Sequence, residues 1–476
     1  MSSTFWIKAL EMILALGILV MIHEFGHYIF SRIFGVWVEK FYLFFNPWLT
    51  IAKWKPGKYL KWFSHGNEMG AMEKDEAGSN ENKTSWRATE YGLGWLPLGG
   101  YCAISGMIDE SMNTEAMKEP AKPYEFRSKP AWQRLLIMLG GVLFNFLLAI
   151  IIYAGIAYSV GEEYIKFSDA TYGITYSDGA HAVGFVDGDI PLSVDGKPVD
   201  HLTNSVLQSM VTSEQVTVLR NGKDTIAINI PEKFIFDVNK DATERHQRFM
   251  TINFPVVVDS VLPNMGAAKA GLQQGDRIIA VGNVPTLDVV KFSDEIVKYK
   301  NQVVNLTIQR NGQTIIAESV PIDTAGMIGV QKVIDPAKLF NVTSVKYNIL
   351  QSIPRGIKMG WEEMVNYVKQ LKYVFTSEGA QSLGGFGSIG SIFPDSWDWL
   401  GFWRITAWIS IILAVMNVLP IPALDGGHVM FLLYEMVTGR QPSLKFLEKA
   451  QMIGMALLIA LLLFANGNDI YRYFFK

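Results

Sequence analysis

The chain has 476 residues and a single cysteine, Cys102, so no disulfide can form within it and a cysteine-rich metal ribbon is excluded. Any metal site has to be assembled from histidines and carboxylates. Charge is also scarce. Asp, Glu, Lys and Arg make up 18% of the residues against 49% hydrophobic, which is less charged than the roughly 25% of a typical soluble protein. A net charge of -3 gives a polyanion nothing to bind, so no nucleic acid is expected as a partner.

What the chain has instead is long apolar runs. Four of them, at about 5–30, 135–158, 404–422 and 449–466, reach the roughly 20 residues that a bilayer span requires. The first run is N-terminal, as a signal peptide would be. It continues into Met21-Ile22-His23-Glu24-Phe25-Gly26-His27 without a small-residue cleavage site, and is expected to be retained. Basic residues near the span ends orient the chain: Arg32, Lys40, Arg127, Lys129 and Arg134 in the first loop, and Arg440, Lys445 and Lys449 after the third span. Both loops are expected in the cytoplasm and the 160–403 region outside, with Arg472 and Lys476 counting against that orientation.

The outer region contains a repeat. Gly184-Phe-Val-Asp-Gly188-Asp189-Ile190 aligns with Gly271-Leu-Gln-Gln-Gly275-Asp276-Arg277, 87 residues later. Arg220-Asn221-Gly222 returns as Arg310-Asn311-Gly312. Short β-branched runs joined by Asn-Gly read as strands and tight turns, and Val289 to Tyr299 has helical spacing. The pattern resembles a PDZ domain, which binds an extended peptide as an added strand. The plainer alternative is a pair of packed β-domains that only cap the rest.

Chemistry concentrates in the spans. In His23-Glu24-x-x-His27 the imidazoles lie at i and i+4, on one helix face, where they can share an ion. Glu24 between them can act as a general base on a water whose pKa zinc lowers. Ionisable side chains at the end of an apolar span are expensive unless they serve a site. Their bland role would be to hold helices together by hydrogen bonds. A third ligand is sought in Asn417-Val-Leu-Pro420-Ile-Pro422-Ala-Leu424-Asp425-Gly426-Gly427-His428, where two prolines end a helix and two glycines let the chain turn. Asp425 is the candidate, with His428 as its rival. The alternative for Asp425 is a cap on a helix beginning at Gly427.

These motifs, HEFGH in the first span and NVLPIPALDGGH in a later one, resemble the site-2 protease family. With the continuation LDGGHVMFLLYEMVTGR and the tandem repeat, the chain is similar to the family's bacterial regulator of sigma-E type. The resemblance implies one Zn2+ per chain held by His23, His27 and Asp425, Glu24 as the catalytic base, and Asn417 positioning substrate or stabilising the oxyanion. It implies single-span membrane proteins as substrates, anti-sigma factors and remnant signal peptides among them, already shortened by an upstream site-1 type protease. The location implied is a bacterial inner membrane.

The expected fold is a polytopic α-helical membrane protein of four transmembrane helices with two inserted β-rich PDZ-like domains. The first helix occupies 1–34 and a cytoplasmic loop with a membrane-associated β-loop 35–134, followed by a second helix at 135–160. PDZ-like domains fill 166–255 and 256–330, and an amphipathic linker 335–400. The third helix, with LDGG, is placed at 404–430 and the fourth at 449–466.

Pro97 to Met107 resembles the family's β-loop, which can pair with an unwound substrate. Gly384 to Ser388 sits where the family has Gly-Gly-Pro, from which Phe386 departs. The long insert at 48–87, with its polar run 73–83, reads as a solvated loop. Cys102, His65, His181, His201 and His246 have no partner at ligand spacing and are read as structural or solvent-exposed. Two other function classes fit part of this pattern: a catalytically dead PDZ-bearing membrane adaptor, and a transporter whose intramembrane charges line an ion path.

Overall fold

A computed structural model describes residues 3–65, 83–97, 99–107, 120–245, 247–374, 376, 379–380 and 383–475. Leu98, His246 and nearly all of the polar run 73–83 lie outside these residues. The chain forms two compact units, one of 1–160 with 346–476 and one of 161–345.

In the first unit the apolar runs become helices. α1 is Ser3–Ile33 and α2 Ala131–Ser159. After the second unit come α3 (Ile349–Val374), α4 (Phe386–Ile392), α5 (Trp399–Val418), α6 (Asp425–Thr438) and α7 (Leu444–Phe475). Four of these (α1, α2, α5 and α7) are long and apolar enough to cross a membrane. The 29 residues of α2 rise roughly 44 Å at about 1.5 Å each, more than a hydrocarbon core of about 30 Å.

The element placed at 404–430 consists of two helices, divided at the prolines expected to end one. Pro420 and Pro422 lack the N–H that would continue the ladder, and α5 stops at Val418. Ala423 takes a left-handed φ of 80°, and α6 starts at Asp425. The linker expected over 335–400 contains the 26-residue α3, which packs against α2. Gly356 of α3 meets the Ala154 backbone of α2, where a Cβ would come within 2.6 Å. Met359, Met364, Tyr367 and Leu371 pack on a core of Ala149, Ile152, Tyr153, Ile156 and Ile411. The segment around Phe386 is tied to α7: Asp469 accepts from the N–H groups of Gly385 and Ser388, both at 2.9 Å, and Asn466 accepts from that of Phe386 at 3.2 Å.

Between α1 and α2 the chain builds a five-stranded sheet from β1 (Val38–Leu43), β2 (Phe45–Lys55), β3 (Tyr59–His65), β4 (Glu90–Leu96) and β5 (Tyr101–Ile104). Its order is β3-β2-β4-β1-β5, so β5 is an edge strand, paired antiparallel to β1 with Cys102 opposite Phe41. The insert read as a solvated loop supplies β3 and most of β2, and its hairpin leaves Trp62 and Phe63 62% and 71% exposed.

The second unit has two cores. One is centred on Phe185, Val216, Val218, Phe234 and Met250, the other on Val256, Ile278, Val281, Leu306 and Val320. The second core lies under strands in the order Gln313–Pro321, Val303–Arg310, Arg277–Val281, Val256–Val261 and Val330–Lys332. The helical spacing at 289–299 forms the helix Val289–Ile296, capped by Asp288, and a 3-10 turn over Val297–Tyr299. The first copy has its counterpart in Asn204–Thr212, capped by Thr203.

The repeat carries a duplicated ion pair. Arg220 grips Asp189 with two N–H donors at 2.8 and 2.6 Å and donates to the Gly184 carbonyl. Arg310 grips Asp276 at 2.6 Å twice and donates to the Gly271 carbonyl. Asp276 is fully buried. Burial alone would raise its carboxyl, but the Arg310 guanidinium and the Gln273 N–H hold it below the usual aspartate range. A carboxyl depressed in the folded state stabilises above the unfolded value near about 3.9 and loses that contribution as pH falls through the folded value. Asp276→Ala is expected to destabilise the second copy at neutral pH near the low end of the about 3–5 kcal/mol seen when one partner of a buried pair is removed, because Arg310 is partly exposed. It should also flatten the acid limb of the wild-type stability curve. Hydrogen exchange in Val303–Arg310 across pH 3 to 7, roughly the range of the carboxylate linkage, reads both effects.

Candidate metal centre

His23 and His27 sit on the face of α1 that meets α2, and glycine makes the approach possible. A Cβ on Gly26 would stand 2.2 Å from the Gly140 carbonyl oxygen. A Cβ on Gly141 would lie 2.6 Å from both His23 Cε1 and His27 Nε2. The Gly140-Gly141 pair thus gives α2 a gap into which both rings fit, as small residues do where membrane helices touch closely.

Asp425 arrives from the break between α5 and α6. Short turns close it, with Ile421 N–H to Leu419 O at 2.7 Å and Leu424 N–H to Ile421 O at 3.1 Å. Gly426 and Gly427 let this segment lie against the start of α6, since Cβ atoms there would stand 2.1 Å from Leu419 O and 2.7 Å from Ile421 O. Asp425 is the first residue of α6, not its cap. The capping position is Leu424, and no side chain caps the helix. An ion pair between Arg134 and Glu435 ties α6 to α2, and Leu432 packs in a core with Ile137 and Met138.

The three side chains converge. Asp425 Oδ2 is 3.1 Å from His23 Nε2 and 3.3 Å from His27 Nε2, and the two imidazole nitrogens are 3.3 Å apart. His27 Nδ1 lies 2.9 Å from the Ile137 carbonyl oxygen, to which it donates, leaving Nε2 as a lone pair. Asp425 Oδ2 is buried without an aligned hydrogen bond. Lone pairs facing one another at this range repel unless a proton or a metal ion lies between them. Two ligands each about 2.0–2.1 Å from one ion, at a tetrahedral angle, stand roughly 3.3 Å apart. The donor set, two imidazoles and a carboxylate, is one that zinc accepts with a fourth position left open.

Around the cluster lies a cavity of about 590 Å³. Glu24 and Asn417 line it, with Gly100, Tyr101 and Cys102 of the β5 region on the wall. The Glu24 carboxylate is within reach of the Cys102 backbone N–H. His428 and Gln451 also line the cavity, but His428 is not among the three clustered groups. Cys102, read as structural or exposed, is a wall residue. His181 pairs with Asp187 at 3.0 Å, and His201 pairs with Asp200 and stacks on Tyr164. Motif reading missed the Ile137 carbonyl and Gly141. The signal for the glycine was the pair Gly140-Gly141 inside an otherwise bulky apolar span. A backbone carbonyl leaves no signal.

Comparison with known proteins gives the family. The profile of peptidase family M50 matches residues 11–66 and 78–461. The chain is 28% identical to the regulator of sigma-E protease RseP of Escherichia coli over 99% of this chain and 100% of that one. It is 26% identical to the regulator of sigma E protease of Haemophilus influenzae, over 97% and 98%. To a putative zinc metalloprotease of Neisseria meningitidis serogroup A it is 27% identical, again over 97% and 98%. With a family match spanning most of its length and relatives aligned end to end, the chain belongs to peptidase family M50.

Proposed function

We propose that this chain is a membrane-embedded zinc metalloendopeptidase, in which His23, His27 and Asp425 hold one Zn2+ per chain and Glu24 is the catalytic base. The observation that carries this reading is the convergence of three lone-pair donors at ligand spacing in a cavity that the half-buried Glu24 also lines. The names of the relatives support it, one being called a putative zinc metalloprotease and two a regulator of sigma E protease. A binding-only adaptor would have no use for such a cluster.

Zinc, when bound, supplies Lewis acidity that makes water a nucleophile near neutral pH. Glu24, on the cavity wall, is placed to take a proton from a water held in the cavity and to return it to the leaving amine. Asn417, on the cavity wall, donates its amide N–H to the carbonyl oxygen as negative charge develops there. A helical substrate hides its peptide bonds in i to i−4 hydrogen bonds, so it has to unwind first. The edge strand β5, with one side unpaired in its sheet, offers backbone groups to the unwound segment along the cavity wall.

The substrates proposed are single-span membrane proteins of the anti-sigma factor type and remnant signal peptides, after a first cut by a site-1 type protease. The location is a bacterial inner membrane, with the PDZ-like copies at 166–255 and 256–330 in the periplasm and the site toward the cytoplasmic side. Trapping tests the reading directly: Glu24→Gln expressed in cells should hold small membrane proteins that wild type releases as fragments.

The two copies act by size exclusion in this proposal. The strands that lead into and out of the second unit, Glu162–Ile165 and Val342–Val345, pair with each other, with Ile165 opposite Val342. Residues 166–341 can therefore be replaced by a short flexible linker without stretching the chain. That variant is expected to cut substrates with intact folded outer heads, which wild type spares, while still requiring Glu24. Loss of cleavage of all substrates, in a variant that inserts and binds zinc, would show obligatory peptide recognition instead.

A further inference from the structure

We propose that Asn145 is the residue that orients His23 for the metal, by accepting the proton on His23 Nδ1. This rests on the reading that His23, His27 and Asp425 hold the ion.

A histidine that binds a metal through Nε2 carries its proton on Nδ1, and an acceptor there fixes the tautomer and the plane of the ring. For His27 that acceptor is the Ile137 carbonyl. For His23 the group facing Nδ1 is the side-chain amide of Asn145, with Nδ2 at 3.3 Å. An amide NH₂ and a ring N–H are both donors, so this orientation suits only a ring with a bare Nδ1. It also leaves Asn145 Oδ1 buried without a hydrogen-bond partner, in a residue that is 0% exposed. A half-turn of the amide removes the donor–donor contact and gives Oδ1 a partner, with the NH₂ taking the position that Oδ1 left. Oδ1 then accepts from Nδ1–H, and Nε2 is left as the lone pair facing Asp425 and His27.

The surrounding structure holds Asn145 for this task. Its own carbonyl accepts from Ser410 Oγ of α5 at 2.7 Å, and Ser410 is fully buried. Ile137, Gly141 and Asn145 recur every four residues on α2, so one stripe of that helix carries an acceptor for His27, a gap for both rings and an acceptor for His23. A fully buried asparagine in the middle of an apolar span is expensive, and its side chain has no role in the proposed proton transfers.

The test uses the full chain in lipid nanodiscs. Zinc affinity is measured against a competing chelator for wild type, Asn145→Leu, Asn145→Ser, Asn145→Asp and His23→Ala, with apo-protein melting temperatures and the visible spectrum of the cobalt-loaded forms. Leucine matches the size without an acceptor, serine is too short to reach, and aspartate keeps the acceptor. Asn145→Leu and Asn145→Ser are expected to lose about 10–100-fold in zinc affinity and to alter the cobalt spectrum, while Asn145→Asp stays within a few fold of wild type. If the leucine variant fails to insert, the serine and aspartate pair carries the same comparison. Wild-type affinity in the leucine or serine variant overturns the proposal, as does an equal loss in the aspartate variant, which would mark Asn145 as helix packing only. If wild type binds no zinc, or His23→Ala still binds it, the metal assignment itself has failed and the role of Asn145 falls with it, an outcome distinct from an assigned site that ignores Asn145.

Discussion

Replacing Glu24 by glutamine is expected to reduce cleavage by about 10²–10⁴-fold, the range typical of a lost general base, while one zinc per chain remains. Glutamine has the size of glutamate and keeps a carbonyl oxygen for the Cys102 N–H, so the wall of the cavity is undisturbed. Glu24 is absent from the three-residue cluster, so the ligand set survives. Only the capacity to take a proton disappears. Metal analysis of the purified variant together with turnover of a single-span reporter checks both halves. Wild-type turnover would remove Glu24 from the mechanism, and a parallel loss of zinc would make it part of the metal's support.

Much of this organisation is legible in the residues, and the rest is absent for physical reasons. Span positions follow from composition, since only long apolar runs fit a bilayer. The i, i+4 spacing puts His23 and His27 on one helix face. The prolines at 420 and 422 signal a break, yet where the helix resumes depends on Ala423 adopting a left-handed φ and on two glycines meeting carbonyls across the turn. Those contacts are tertiary. The same holds for α3, whose spacing marks an amphipathic helix without saying that Gly356 faces Ala154 of α2. In the repeat, Gly-Asp and Arg-Asn-Gly recur as separate motifs, and only folding brings Asp276 to Arg310 and Asp189 to Arg220. β3 was unreadable because the insert, taken as a string, is charged and irregular, and its strand character comes from pairing with β2.

Asp425→Ala is expected to strip the site of metal, and the loss should exceed the about 10–100-fold that follows removal of an outer partner of a ligand. A site of two imidazoles falls short of the three protein ligands that catalytic zinc usually takes. The fold around residue 425 does not depend on this carboxylate. It caps no helix, and the turn is held by backbone hydrogen bonds and the close fit of Gly426 and Gly427. Among the described residues its only close polar neighbours are His23 and His27, which can turn neutral when the carboxylate is gone, so the apo-protein should melt close to wild type. Loss of zinc with unchanged apo stability is the signature of a ligand. A lower melting temperature with full zinc is the signature of a structural residue. His428 decides between the two motif candidates, because it borders the same cavity one turn along α6 but lies outside the cluster. His428→Ala is expected to keep zinc at one per chain. If instead His428→Ala empties the site and Asp425→Ala does not, the third ligand is His428, and α6 has to rotate to bring it in.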